Sequence, residues 1–286
     1  MRSLGAVVPL IAGLSVASTF GQQSAGATPH SSRSATPPAS RTIVITAHDF
    51  AYTGLPVRAP AGWLTVRMVN VGRELHMLAT FNVPKGYTAT SLIDSLTHGK
   101  TPADLQEWGG PNAVAPGDTT TTSLFLPAGN YVVGCFVVSP DGKPHFMKGM
   151  MGSFEVVAAP VAGSPPVSDR RIMLSTYKIA VLGGAIDRGV HTFLIRNTAK
   201  ERHDFVILRV LPGHTVDQAL AWFGNPPVGV PAAEPIAGTT VLHTNEEAYL
   251  QAHFNPGTYV LVCWLATNKK YHYHMGMENV ITVAGS

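Results

Sequence analysis

Two stretches of this chain gather residue types that hold soft metal ions. The first reads Gly129-x-Tyr131-x-x-x-Cys135 and continues through His145-x-x-x-Gly149-Met150. The second reads Gly257-x-Tyr259-x-x-x-Cys263 and continues through His272-x-x-x-Gly276-Met277. The only two cysteines of the protein occupy the same place in the two copies. A thiolate, an imidazole and a thioether brought together by one loop make a site suited to copper. Each half offers one more histidine upstream, His76 and His203, in matching places. Soft ligands also bind zinc, so the residue types leave that metal open.

The elements that must position these groups repeat as well. Gly189 corresponds to Gly62, Asn197 to Asn70, His203 to His76 and Gly213 to Gly86, all at an offset of 127; Tyr259 and Cys263 follow Tyr131 and Cys135 at 128. A repeat of that length is the size of a domain, so a whole fold has been duplicated. In the first copy Leu64, Val66 and Met68 alternate with Thr65 and Arg67, the period of a half-buried strand. A polar Thr-rich strand (119–125) leads to a turn at Pro127-Ala128-Gly129, and the strand from Tyr131 to Val138 carries the cysteine. Ser153 to Val157 closes the copy. Between strands, Leu92, Ile93 and Leu96 have helical spacing in Thr88–His98, with Gly99 as a stop. In the second copy Thr215-Val216-Asp217-Gln218 fits a helix capping box. The expected fold is all-β: two tandem sandwiches at 42–158 and 169–286, each with a short inserted helix, joined by a linker at 159–168.

At this point the residues resemble a known family. Each half is similar to a cupredoxin, the Greek-key β-sandwich of plastocyanin- and azurin-like blue copper proteins. In that family an upstream histidine follows an early strand, the cysteine ends a late strand, and a second histidine and a methionine lie on the loop beyond it. The resemblance implies copper, up to two ions, one per half. It implies His76, Cys135, His145 and Met150 as the first ligand set and His203, Cys263, His272 and Met277 as the second. Methionine is then the weak axial ligand. One departure stands out: nine residues separate Cys135 from His145 and eight separate Cys263 from His272, longer than in the familiar small blue proteins.

Other residues compete for these roles. His274 lies two positions beyond His272 and stays open as an alternative ligand. Met147 and Met151 flank Met150 without repeat partners and read as apolar filler. Six histidines (His48, His98, His191, His214, His243, His253) are unmatched and read as ordinary. Tyr131 and Tyr259 read as packing positions ahead of a core strand.

Composition bounds the function. Charged residues are only 13%, with 28 Gly and 22 Pro, which favours an all-β protein rich in turns. The formal charge of +3 and the lack of a Lys/Arg run argue against a nucleic-acid partner. Met1-Arg2, the short apolar run Leu4–Ala17 and the small residues after it read as a signal peptide over 1–20. A flexible Ser/Pro-rich tether over 21–41 follows. No segment promises a membrane span beyond an uncleaved signal anchor, so the expected location is periplasmic or secreted. Exported proteins usually pair their cysteines; one unpaired thiol in each half points to metal ligation instead. The expected role is electron transfer, with a redox partner docking at the apolar patch around His145. The alternatives are a copper carrier or store and, ranked lower, a two-domain multicopper oxidase or nitrite reductase. Those enzymes need repeated His-x-His pairs or a histidine beside the cysteine, and here the neighbours are Gly134 and Phe136, Val262 and Trp264.

Overall fold

The computed structural model describes residues 41–159, 163–224 and 229–285. The signal-peptide and tether readings, and part of the linker, lie outside them. In the first half the elements are β1 (Arg41–His48), β2 (Ala51–Thr53), β3 (Arg58–Pro60), β4 (Gly62–Asn70), β5 (Ala79–Asn82), α1 (Ala89–Thr97), β6 (Thr119–Leu126), β7 (Gly129–Gly134) and β8 (Met151–Val157). The second half has β9 (Arg170–Ser175), β10 (Lys178–Leu182), β11 (Gly189–Asn197), β12 (His203–Val210), α2 (Val216–Trp222), β13 (Ala233–Leu242), β14 (Glu247–Phe254) and β15 (Gly257–Val262). It ends with a hairpin of β16 (Ala266–Thr267) and β17 (Lys270–Tyr271), then β18 (Glu278–Val283).

Each half is two sheets face to face. In the first, β2-β1-β4-β6 packs over β3-β8-β7-β5, so the chain crosses between sheets from β4 to β5, back to β6 and over again to β7. That is a Greek-key path. Alternating apolar residues fill the space between: Leu64, Val66 and Met68 from β4, Leu124 and Leu126 from β6, Val133 from β7 and Phe154 from β8 are all buried. Tyr131 and Tyr259 are buried, and their hydroxyls donate to the carbonyls of Pro127 and Asn255, four residues upstream in each case. That fixes the turn before the cysteine strand. Both helices carry reciprocal capping boxes, Thr88 with Ser91 and Thr215 with Gln218.

The halves are not separate beads. β6 and β14, equivalent strands of the repeat, pair antiparallel with Thr122 opposite Leu250 and Ser123 opposite Tyr249. The result is one eight-stranded sheet, β10-β9-β11-β14-β6-β4-β1-β2, which reads the same from either end once each strand is replaced by its repeat partner. A pseudo-twofold axis therefore passes between β6 and β14, as in a self-complementary dimer interface. This explains why Thr120, Thr122 and Ser123 of the polar strand are buried: the strand is central in the joint sheet. Thr122 donates across the joint to the Gly238 carbonyl at 3.0 Å, and Thr65 and Ser123 pair at 2.7 Å.

The cysteine strand is shorter than its apolar run suggests. β7 stops at Gly134, whereas the sequence extends it to Val138. Beyond Gly134 the chain's own loop replaces a neighbouring strand: Phe146 N–H donates to the Cys135 carbonyl at 2.8 Å and His145 N–H to the Val137 carbonyl at 2.9 Å. The long Cys-to-His loop is thereby folded back on the strand end.

Candidate metal centres

Matching turns deliver the upstream histidines. Asn70 is buried at the end of β4; its carboxamide donates to the carbonyls of Glu74 and Val114 and accepts from Gly72 N–H. Asn197 makes the same three bonds to Glu201, Leu242 and Ala199. The downstream histidines sit at the start of short 3-10 turns that end in a left-handed glycine, Gly149 (φ 100°) and Gly276 (φ 94°). A side chain would be strained there. After each glycine the methionine is tied by its backbone to the other ligand candidates. Met150 N–H donates to the His145 carbonyl and its own carbonyl accepts from Cys135 N–H; Met277 does the same with His272 and Cys263.

These turns bring three donors together in each half. In the first, His76 Nδ1 lies 3.1 Å from His145 Nδ1, and Cys135 Sγ lies 3.9 and 3.3 Å from the two. In the second, His203 Nδ1 and His272 Nδ1 are 3.1 Å apart, with Cys263 Sγ at 3.6 and 3.4 Å. All six residues are buried, and among the described residues these are the two groups of three or more such side chains close enough to share an ion. Both cysteines are free. Met150 and Met277 are fully buried beside them. His274 is exposed and lies against the Tyr273 ring at 4.0 Å, so His272 is the histidine that joins Cys263. His191 instead bridges Asp169 and Asp187.

Burial governs the electrostatics of both sites. Burial pushes the Cys135 thiol up to about 12, and burial pushes Cys263 higher still, helped by the Asp204 carboxyl beside it. Burial, then the facing imidazole, lowers His76 and His203 to about 4; burial lowers His145 and His272 as well. Unligated, each pocket holds a thiol and two neutral imidazoles. A metal that replaces the thiol proton supplies the positive charge such a donor set lacks.

What lies behind the donors was not read from the sequence. His76 Nε2 meets Asp49 Oδ1 at 3.2 Å, and His145 Nε2 meets Glu74 Oε2 at 3.0 Å. His272 Nε2 is hydrogen-bonded to Thr267 Oγ1 at 2.9 Å. Phe50 stands edge-on to His145, and Tyr177, its repeat equivalent, stands edge-on to His272; both rings reach the site from a positive φ, 66° and 53°. Met77 N–H donates to Cys135 Sγ at 3.4 Å. The 127-residue register would have paired Phe50 with Tyr177 and Glu74 with Glu201, a signal available in the sequence.

Two thiol–imidazole triads, each between the sheets of a Greek-key sandwich and each with a buried methionine hydrogen-bonded to the cysteine backbone, settle the fold type. Both halves are cupredoxin-like. The donor set of each suits copper, and the two groups could hold up to two ions per chain. No family model and no curated protein matches the chain. Among solved structures it is similar to a dithionite-reduced auracyanin from Roseiflexus castenholzii, at 23% identity over 43% of this chain and 99% of that one, TM-score 0.29. It is also similar to a multicopper oxidase, at 16% identity over 86% and 88% of the two chains, TM-score 0.26. A third is a copper nitrite reductase from Nitrosomonas europaea, at 15% over 87% and 95%, TM-score 0.26. Likenesses of this degree carry no argument; the cupredoxin-like reading rests on strand order and donor geometry. Among the described residues no helix is long and apolar enough to cross a membrane.

Proposed function

We propose that this is an exported, two-centre copper protein that carries electrons between redox partners. The observation that carries the reading is the pair of preformed triads, each with two imidazole Nδ1 atoms and one thiol sulfur facing a common point inside a β-sandwich. Copper bound there would supply one-electron chemistry. The chain's own contribution is to fix the donors. Backbone hydrogen bonds hold His145 and Met150, His272 and Met277, so neither oxidation state could rearrange them far. Met150 and Met277 would complete the two donor sets in this reading.

His145 is itself buried, capped by Glu74 and Phe50. A partner would therefore dock over that cap and the half-exposed Met147, with no bare imidazole to meet. The test is to load the purified chain with Cu(II). An intense visible thiolate-to-copper absorption, copper near two per chain and a reversible redox wave are expected. Colourless protein overturns the reading. Steady oxidase or nitrite-reducing turnover replaces it with an enzyme, and fast hand-off to a chelator without a redox wave replaces it with a carrier.

A further inference from the structure

We propose that the rim of the second centre is a docking surface for an acidic redox protein, and that the rim of the first is not. The inference rests on the copper reading above and names the partner chemistry for one of its two sites. Three segments meet over the second triad. The first, 266–271, is the hairpin of β16 and β17; its Thr267 Oγ1 is hydrogen-bonded to His272 Nε2 at 2.9 Å. The second, 176–178, brings the Tyr177 ring edge-on to His272, with 5.1 Å between centroids. The third, 198–202, is the turn that leads into His203, and its Glu201 accepts from Thr176 at 3.2 Å. Each segment carries exposed cations: Lys269 and Lys270 on the hairpin, Lys178 beside Tyr177, Lys200 and Arg202 on the turn. Among the described residues none of these five forms an ion pair. Glu201 is the one acidic residue on the three segments. The next acid along the chain is Glu278, where β18 starts beyond the ligand loop.

The repeat shows that this charge belongs to one centre only. The corresponding segments of the first half are 138–144, 49–51 and 71–75. They hold three acids, Asp49, Glu74 and Asp141, against two cations, Arg73 and Lys143. Asp49 and Glu74 face the histidines, and Asp141 pairs with Lys148 at 2.9 Å. The rim of the second centre thus carries five cations against one acid, in a chain whose formal charge is only +3. A partner with carboxylates around its redox group meets one sign of charge there and mixed signs at the first centre. A field of one sign steers encounter and raises its rate roughly 10- to 1,000-fold at low salt. The cations border two uncharged residues, Tyr177 and Thr267, that cover His272. Thr267 is exposed, so one hydroxyl separates that imidazole from solvent. Weak redox encounters need little more area than this. In the transfer no bond forms or breaks: the partner's reduced group loses one electron and the second centre gains it.

The experiment uses the full chain, with flavodoxin as a small acidic redox protein. The metal-free chain should bind oxidised flavodoxin in a calorimetric titration at about 10 mM ionic strength and release it at about 0.5 M, where screening is short-ranged. Lys178→Glu with Lys270→Glu should weaken that binding about tenfold or more. Lys85→Glu with Lys100→Glu makes the same change of charge at exposed positions of the first half and should weaken it far less. With copper loaded, flavodoxin hydroquinone should reduce the centre left in Cys135→Ser at a rate that falls steeply with salt. The centre left in Cys263→Ser should be reduced at a rate that salt barely changes. No binding by the metal-free chain overturns the surface, and so does equal weakening by the two lysine pairs. Equal salt dependence of the two centres overturns its assignment to the second. Binding to phosphatidylserine vesicles without binding to flavodoxin replaces the protein partner with a membrane and overturns it too. A chain that binds flavodoxin through this patch but develops no thiolate-to-copper band upholds the surface and overturns the copper reading alone.

Discussion

In the first half, the outward nitrogens of both histidines rest on carboxylates, His76 on Asp49 and His145 on Glu74. In the second half, His272 rests on the hydroxyl of Thr267, and among the described residues the buried His203 Nε2 has no hydrogen-bond partner. Glu201, the equivalent of Glu74, bonds Thr176 instead. Behind the sulfurs the contrast reverses: the first has Met77 and the second the buried carboxyl of Asp204. One fold and one set of inner donors have been given two different surroundings. An outer carboxylate raises the basicity of a ligating imidazole and fixes its tautomer. The halves should therefore hold their ions with different strength and at different potential, even though the inner triads nearly superpose in distance.

The largest effects test whether the centres are two at all. Cys135→Ser and Cys263→Ser should each remove one ion and one visible band, leaving the other half's band intact, as expected for distant sites. Loss of both bands from either single change would mean that the halves fold their sites together.

Acid comes next. His76 and His203 titrate near 4 in the fold against about 6.5 in an unfolded chain. Their folded values are lowered, so the unfolded state binds protons first as pH falls. The metal-free chain should carry no penalty above about pH 6.5 and lose stability progressively toward pH 4, on the order of 3 kcal/mol per histidine. Thermal melts of the metal-free protein across that window check it; a flat profile would show that these imidazoles are not buried neutral. Asp49→Asn removes one of the groups opposing the depression in the first half, so it should steepen the loss.

The outer contacts themselves should matter less, and unequally. Glu74→Gln or Asp49→Asn is expected to weaken copper binding in the first half by about 10- to 100-fold. Thr267→Val should do less in the second, because a neutral hydroxyl is all that is lost. Competition with a chelator, read on the single-site cysteine variants, separates the two. Equal losses in both halves would remove the distinction between charged and neutral backing.

Much of this molecule was legible from spacing. The Gly-x-Tyr-x-x-x-Cys and His-x-x-x-Gly-Met runs located four of the six inner donors. The 127-residue register found His76 and His203, because glycine turns and ligating side chains tolerate few substitutes. It chose His272 without excluding His274; only the fold shows His274 outside, tilted against the Tyr273 ring. The joint between the halves was not legible. A Thr-rich strand reads as solvent-facing until a second copy of itself is seen beside it, and no local pattern says that β6 will pair with β14. Asp49, Glu74 and Asp204 escaped for a related reason: a carboxylate reads as surface until its partner is placed.

The smallest expected effect isolates a single methyl group. Position 72 is glycine in the first half, and its repeat equivalent is Ala199, buried at 4% exposure. The backbone turn is the same, since the amide of each donates to its buried asparagine at 2.9 Å. A Cβ on Gly72 would lie 2.4 Å from Asp49 Oδ1 and 2.5 Å from His76 Nε2, inside the contact those groups make. Glycine is thus the condition for the carboxylate–imidazole pair, and alanine goes with its absence. Gly72→Ala should push Asp49 off His76 and lower copper affinity in the first half by no more than about tenfold, with the visible band kept. Ala199→Gly alone should leave the second half's affinity unchanged, because Thr176 stands where Asp49 would be. Thr176→Asp with Ala199→Gly should raise it. If Gly72→Ala binds copper as wild type does, the outer carboxylate is not what distinguishes the two centres, and the difference must lie at the sulfur, with Met77 and Asp204.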